Sequence, residues 1–427
     1  MLRTVQQSLC CHGNRCLSNF APAQRIIGHE KNLWVEYSAL AIKHKAVNLG
    51  QGFPDFTPPE FLKEAWSDAV NVPSAHWYTR GQGYPRLVNA LSEMYSPELG
   101  RQIDPMTEIM TSVGAYESLY AALTAFTDPG DEVILIEPHF DSYSVVVEVC
   151  GGKPVYVPLK PDGDPTNANN WVLDKAEFEG AFTSKTKLLM VNTPHNPIGK
   201  LFSAEEMEFI ARTCEKHNVI IVSDEVYERC VFPGHVHHRI ANAPGGWERT
   251  VTVGSAGKSF SMTGYKLGWA IGPEELISKL QTVHQTAVYS APTILQEVIA
   301  RCVEREIELK GQEQSYHSQL SKIMEKGCSE IISACGDAGL SVVEPFGGYF
   351  ILVDTSPLGL EFDTSQVAYD IQCAQWLTEH MKLAGIPLSL FFGKNKHLSE
   401  KYLRLCFAKS EQTLKIGGDI IRDIVAK

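Results

Sequence analysis

The chain has 427 residues, 44% of them hydrophobic and 21% charged, a composition that suits a globular protein of two or three domains with a substantial core. A net charge of -12 and a pI near 5.6 exclude a general nucleic-acid or anionic-membrane surface, since either needs a basic patch to gain counterion-release energy. The eleven cysteines lack the paired short spacings of a zinc ribbon or disulfide scaffold and fit a reducing compartment, and no apolar run approaches the roughly 20 residues of a membrane helix.

The first 29 residues carry Arg3, Arg15 and Arg25, with Ser8 and Ser18 and no Asp or Glu. That composition predicts a mitochondrial transit peptide rather than a secretory signal, because no long apolar core follows the first arginine; an unstructured cytosolic arm is the alternative. Residues 30–60 are assigned to an N-terminal arm and part of a small domain, 61–310 to a large domain, and 311–427 to a C-terminal small domain.

Beyond the arm, short β-branched runs alternate with longer helical patterns, which predicts an α/β fold with a mainly parallel central sheet covered by helices. The runs 131–136, 187–191, 219–222 and 250–253 are apolar on both faces, as buried parallel strands are. Helices are predicted near 139–149, 174–183 and 203–217, the last opening with Ser203 and Glu206 at capping-box spacing. His235, His237 and His238 follow Pro233-Gly234 with no thiol or carboxylate cluster beside them in sequence, so a solvated loop is expected rather than a metal site. After residue 273 come long helices near 273–285, 292–311 and 315–335, then short strands at 341–344, 349–354 and 402–407. A helix rich in Trp376, Leu377 and Met381 separates the later strands, and another closes the chain near 411–425. This is the pattern of a smaller α+β domain, with the boundary placed inside the long helix near residue 310.

In open α/β sheets ligands sit beyond the carboxyl ends of the strands. There the sequence places Asn192-Thr-Pro-His-Asn196-Pro197-Ile-Gly199, then Ser223-Asp224-Glu225-Val-Tyr227, then Gly254-Ser255-Ala-Gly257-Lys258. A helix opening at Ser112-Val-Gly114-Ala115-Tyr116 offers free backbone N–H groups and a favourable dipole to an anion. Pyridoxal phosphate requires this set, because the cofactor carries the bond chemistry and the protein must hold and polarise it. Lys258, on a Gly-flanked loop, is the amine for the Schiff base, and Asp224 the carboxylate that keeps the pyridine nitrogen protonated. Asn196 and Tyr227 suit the phenolate oxygen, while Gly114, Ala115, Tyr116, Ser255 and Lys266 suit the phosphate. Singly, Lys258 is a surface lysine, Asp224 a cap and Asn196-Pro197 a turn; their order at consecutive strand ends favours the cofactor.

The three strand-end segments, with Gly254-Ser-Ala-Gly-Lys-Ser-Phe260, resemble the fold type I aminotransferases of the aspartate aminotransferase superfamily. More narrowly, Asn48-Leu-Gly-Gln-Gly-Phe-Pro-Asp55 and Thr282-Val-His-Gln285 are similar to the kynurenine aminotransferase group, which includes glutamine transaminase K and cysteine-conjugate β-lyase. The resemblance runs from about Trp34 to the C-terminus and implies that Arg404, in Tyr402-Leu-Arg404-Leu-Cys406-Phe, binds the substrate α-carboxylate. Without it, Arg404 reads as a strand arginine pairing with a surface acid. The resemblance also puts Gly52 and Asn192 on the carboxylate, Phe140 on the cofactor ring, and Trp34 and Tyr116 in the substrate pocket; plain core packing is the other reading of these aromatics. It implies a homodimer in which Tyr78 reaches the neighbouring cofactor phosphate and Tyr289 and Ser290 face the partner's pocket, although some relatives carry phenylalanine and histidine at that pair.

The expected activity is transfer of the amino group of L-kynurenine, glutamine, methionine or aromatic amino acids to a 2-oxo acid by ping-pong kinetics, with a possible β-lyase side reaction. A dedicated β-lyase or another amino-acid aminotransferase is the rival on the same scaffold. A catalytically silent binding domain is disfavoured by the presence of Lys258 and the lack of a basic DNA-binding segment ahead of residue 30. A nucleotide-dependent dehydrogenase fails because Gly81-Gln-Gly83 lacks the third glycine of the dinucleotide fingerprint.

Overall fold

The computed structural model describes residues 22–29 and 33–424, so Arg3 and Arg15 of the expected leader lie outside the described residues, as does the end of the last predicted helix at 425. An eight-stranded sheet dominates, in the order Ile109–Ser112, Gly268–Ile271, Thr250–Ser255, Ile220–Asp224, Thr186–Asn192, Glu132–Glu137, Lys153–Pro161 and Trp171–Leu173. The pairings from Thr250–Ser255 across to Lys153–Pro161 are parallel; only Gly268–Ile271 and Trp171–Leu173 run against the rest.

The double-sided apolar runs explain this layer. Along the strands, Leu189, Val191 and Ile221 point into one buried cluster, while their neighbours Leu188, Met190 and Val222 point into another on the opposite face. Helices cover both faces. Ala204–His217 starts with the full capping box, Ser203 accepting from the Glu206 amide and Glu206 from the Ser203 amide, and ends on Asn218 in the left-handed region at φ 53°. The predicted helix near 139 begins later, at Ser142, and the His139 amide ahead of it bonds to the Phe391 carbonyl.

A second layer holds a four-stranded sheet of Val342–Val343, Phe350–Asp354, Tyr402–Cys406 and Ile386–Pro387. Its pairings are antiparallel. Val47–Asn48 from the N-terminal region pairs in parallel with Leu383–Ala384 beside it. Residue 310 falls in the connection between helices Thr293–Glu308 and Tyr316–Asp337, not inside a helix as expected. There Glu306 reaches back to accept from the amides of Tyr316 and His317 and from the Ser315 hydroxyl, filling the donors that open the second helix. The Trp376 helix ends at that residue and widens into a looser turn over Leu377–Met381. No helix among the described residues is long and apolar enough to cross a membrane.

Strand register sets the site. Asn192 lies level with Asp224, Asp224 with Val253, and Gly268 with both Ser255 and Ser112. Four carboxyl-end segments therefore open on one edge of the sheet, facing the second layer through Phe350 and Arg404.

Candidate active site

That edge holds a cavity of about 490 Å³. Lys258 enters it from Ala256–Ser259, a single helical turn rather than the open loop expected, formed because the Phe260 amide bonds back to the Ala256 carbonyl. Its Nζ donates to the Gly52 carbonyl at 2.9 Å and lies about 5 Å from the ring centres of Tyr227 and Tyr349. Burial of the amine lowers its pKa from 10.5 to about 8.

Asp224 forms one wall. Burial raises its pKa from 3.8 to about 6, opposed by the Tyr143 hydroxyl that donates to Oδ2 and by the Val226 amide. A cation placed beside this carboxylate would keep it ionised, which is the relation a protonated pyridine nitrogen needs. Asn192 Nδ2 donates to the Asp224 carbonyl at 2.9 Å and its Oδ1 accepts from the Asn196 amide at 2.6 Å, so Asn192 ties two strand ends together. Asn196 Oδ1, in turn, accepts from Arg404 at 3.1 Å. Asn192 and Asn196 thus both line the cavity, with Asn196 in direct contact with Arg404.

At the other end, Gly114 adopts φ +77° and caps helix Ala115–Phe126, whose first amides face the cavity with Ser255 and Lys266. A Cβ on Gly114 would sit 3.2 Å from Lys266 Nζ, and one on Gly268 only 2.4 Å from the Ala115 nitrogen, so the backbone approaches closely because both are glycine. Hydroxyl, ammonium and helix N-terminus converge as a phosphate requires. An amine in the middle, a carboxylate at one end and this anion cradle at the other fit pyridoxal phosphate.

Arg404 occupies the second-layer side and is 1% exposed. Nη2 donates to the Gly50 carbonyl at 2.7 Å, Nε is buried without a hydrogen-bond partner, and the guanidinium carbon lies 3.8 Å from the Phe350 ring centre, 4.7 Å from Phe391 and 5.0 Å from Trp34. Among the described residues no carboxylate forms an ion pair with it, which overturns the reading of a strand arginine on a surface acid. Burial lowers its pKa from 12.5 to about 10. A buried cation with this surplus of donors has the chemistry to receive a carboxylate.

The cavity brings together Trp34, Gly52, Gly114, Ala115, Tyr116, Phe140, Asn192, Asn196, Asp224, Tyr227, Ser255, Lys258, Lys266 and Arg404. Tyr78 and Tyr289 stand apart from it: Tyr78 is 90% exposed and packs edge-on against Tyr289 with ring centres 5.7 Å apart. Sequence reasoning missed Tyr143, Asp141 and Phe391. Tyr143 shares the short segment after strand Glu132–Glu137 with Phe140, which is the one signal that was available; Asp141 accepts from Trp34 Nε1 at 2.8 Å. The solvated-loop expectation also needs correction at His237, whose Nε2 meets the buried Glu225 carboxylate at 2.9 Å. Among the described residues no His, Cys, Asp or Glu cluster could hold a metal.

Residues 44–420 match the family of class I and II aminotransferases. The chain is 44% identical to kynurenine–oxoglutarate transaminase 3 of Mus musculus, covering 96% of this chain and 92% of that protein. It is 42% identical to kynurenine–oxoglutarate transaminase 1 of Rattus norvegicus, covering 94% and 97%. Among solved structures, a putative kynurenine aminotransferase from Saccharomyces cerevisiae superposes with a TM-score of 0.89 at 31% identity, covering 95% of this chain and 99% of that one. An Escherichia coli protein with a methionine aminotransferase function gives 0.84 at 31% identity, covering 95% and 100%. With a lysine, a carboxylate and an anion cradle lining one cavity, and this likeness over nearly its whole length, the chain belongs to the class I and II aminotransferases, a pyridoxal-phosphate-dependent family.

Proposed function

We propose that this enzyme moves the α-amino group of L-kynurenine, whose oxo-acid product cyclises to kynurenic acid, and of glutamine, methionine and aromatic amino acids, to a 2-oxo acid by ping-pong turnover. The observation that carries this reading is the aromatic lining: Trp34 and Tyr116 share one cavity with Arg404 and Lys258, so a flat apolar side chain has a surface to lie on once its carboxylate is held. The names of the relatives support the same substrate class.

Bound pyridoxal phosphate supplies an electron sink that stabilises negative charge at the substrate Cα. Lys258 would hold its aldehyde carbon, Asp224 its ring nitrogen, Asn196 and Tyr227 its phenolate oxygen, and Phe140 its ring face. The Ala115 and Tyr116 amides, Ser255 and Lys266 would hold its phosphate. Arg404, with Asn196 and the Gly52 backbone nearby, binds the substrate carboxylate and so turns the Cα–H towards Lys258. With the cofactor bound, Lys258 Nζ would take up the proton that leaves the substrate Cα and later return it, acting first as base and then as acid. A good leaving group at Cβ would be lost after the same deprotonation, which makes cysteine-conjugate cleavage a side reaction. Packing of the half-buried Trp34 and the buried Phe350 and Phe391 around Arg404 keeps water from competing for the guanidinium.

Transamination of a panel of amino acids plus kynurenine, with pyruvate or glyoxylate as acceptor, tests the assignment. Turnover of kynurenine and the aromatic, methionine and glutamine members is expected; turnover confined to aspartate and glutamate would overturn it. The exposed Trp77, Tyr78, Val288 and Tyr289 favour a homodimer in which a second copy covers this patch and Tyr78 reaches the partner's phosphate. Light scattering that gives a monomer at micromolar concentration would remove that part. Residues 1–29 are read as a mitochondrial leader, and a fluorescent fusion of that segment that stays cytosolic would reject it.

A further inference from the structure

The His284-Gln285 pair of the segment Thr282-Val-His-Gln285 has no part in the chemistry above, yet helix Glu274–Ala287 lies along helix Ala115–Phe126 and carries His284 to the first turn of the phosphate cradle. There His284 Nδ1 donates to Glu117 Oε1 at 2.6 Å, in a position where His284 is fully buried. The second oxygen, Glu117 Oε2, accepts from the Val113 amide at 2.5 Å. Val113 immediately precedes Gly114, whose positive φ turns the chain into the cradle.

The donors of this turn divide cleanly. The Val113 amide goes to Glu117, the Gly114 amide to the Ser112 carbonyl, and the Glu117 amide to the Gly114 carbonyl. The amides of Ala115 and Tyr116, which as the first helical positions have no acceptor within the helix, remain for the phosphate. Glu117 itself sits at the positive end of the same helix dipole, where a second anion competes with a phosphate. Its carboxylate is drawn back from the cavity, which it does not line, by the Val113 amide on one oxygen and His284 on the other.

We propose that His284 and Glu117 are positioning residues for the cofactor phosphate: Glu117 fixes the Val113–Gly114 turn, and His284 holds the Glu117 carboxylate so that its charge is turned away from the phosphate. This inference rests on the pyridoxal-phosphate reading of the cavity and predicts an effect confined to the phosphate. The test compares the affinity of cofactor-free protein for pyridoxal phosphate with its affinity for pyridoxal, which lacks that group, by fluorescence quenching. His284→Phe should weaken pyridoxal phosphate about tenfold, the scale of one hydrogen bond to a charged group, and leave pyridoxal unchanged. His284→Asn, whose side-chain amide can replace the Nδ1 donor, should restore binding to within about threefold of the original. In a Glu117→Gln background His284→Phe should cost nothing further in the ratio of the two affinities, because the charge it restrains is gone.

Circular dichroism of each cofactor-free variant checks folding. If His284→Phe does not fold, Glu117→Ala carries the same expectation of a loss confined to pyridoxal phosphate. Equal losses for both ligands, no loss in either variant, or a His284→Phe effect that persists in the Glu117→Gln background would overturn the proposal. Failure of the unaltered protein to bind either ligand would instead overturn the cofactor reading beneath it.

Discussion

Lys258→Ala is expected to retain pyridoxal phosphate in the cavity while losing turnover by about a thousandfold or more, because one amine serves as covalent anchor, base and acid. Retention is expected since the other contacts come from separate elements: Asp224 from one strand end, Ser255 from the next, and Lys266 and the Ala115 turn from the far edge. The absorbance of the variant's cofactor should match that of the free aldehyde, and borohydride should no longer fix it to the protein. Near-normal turnover would remove Lys258 from the proton path.

The setting of that amine adds a pH dependence. Only the neutral amine attacks the aldehyde, and in the cofactor-free protein burial lowers the Lys258 pKa to about 8. The loading rate should therefore rise about tenfold per pH unit up to that value and then level off, whereas an exposed lysine would keep rising to above 10. Stability has the same sign. The depressed folded pKa means that the unfolded chain binds more protons between about 8 and 10.5, so Lys258 contributes a stability that grows across that window and is lost as the pH falls through 8. Asp224 acts oppositely: with its pKa raised to about 6, its contribution is present below 3.8 and lost as the pH rises from there to 6. Between 6 and 8 the empty site thus carries both burdens, and pyridoxal phosphate should raise the melting temperature most in that range. An equal rise at pH 4 would count against this account.

What the sequence made legible follows from local rules. Four apolar runs are buried on both sides, so their positions and their parallel pairing could be read from composition alone, and the residues after each run fell at the cavity because parallel strands present their carboxyl ends together. Strand Gly268–Ile271 was not visible: it is four residues long, begins with glycine and runs against its neighbours. It nevertheless joins Ser112 to Ser255 and so assembles the phosphate end. Tyr143 reaches Asp224 across 81 residues of sequence, and Phe391 and Trp34 reach Arg404 from opposite ends of the chain. Such contacts are set by the docking of layers, which no local periodicity reports. Lys258 was placed on a loop because glycine precedes it, although Gly257 sits inside the helical turn against Thr263.

Arg404→Lys is expected to lower kcat/KM for amino acids by about a hundredfold or more, within the range for breaking one partner of a buried charge pair. Lysine keeps the charge but not the planar pair of donors, and a compact ammonium cannot fill a slot built from the faces of Phe350, Phe391 and Trp34. Comparing each amino acid with its carboxamide separates recognition from general damage. The original enzyme should strongly prefer the acid; the variant should lose that preference while turning over the amide at an unchanged rate. Equal loss on acid and amide would show that Arg404 supports the fold of the cavity rather than the substrate. Stability provides a second check of opposite sign, because the guanidinium is buried with no ion-pair partner among the described residues and burial pulls its pKa to about 10. Arg404→Met removes that unpaired charge and keeps much of the side-chain volume, so its melting temperature should be unchanged or higher, as when other buried charges are replaced by apolar groups. A residue whose removal stabilises the protein while abolishing its preference for acids is held in place by function, and the free energy spent on burying the cation is recovered when a substrate carboxylate arrives.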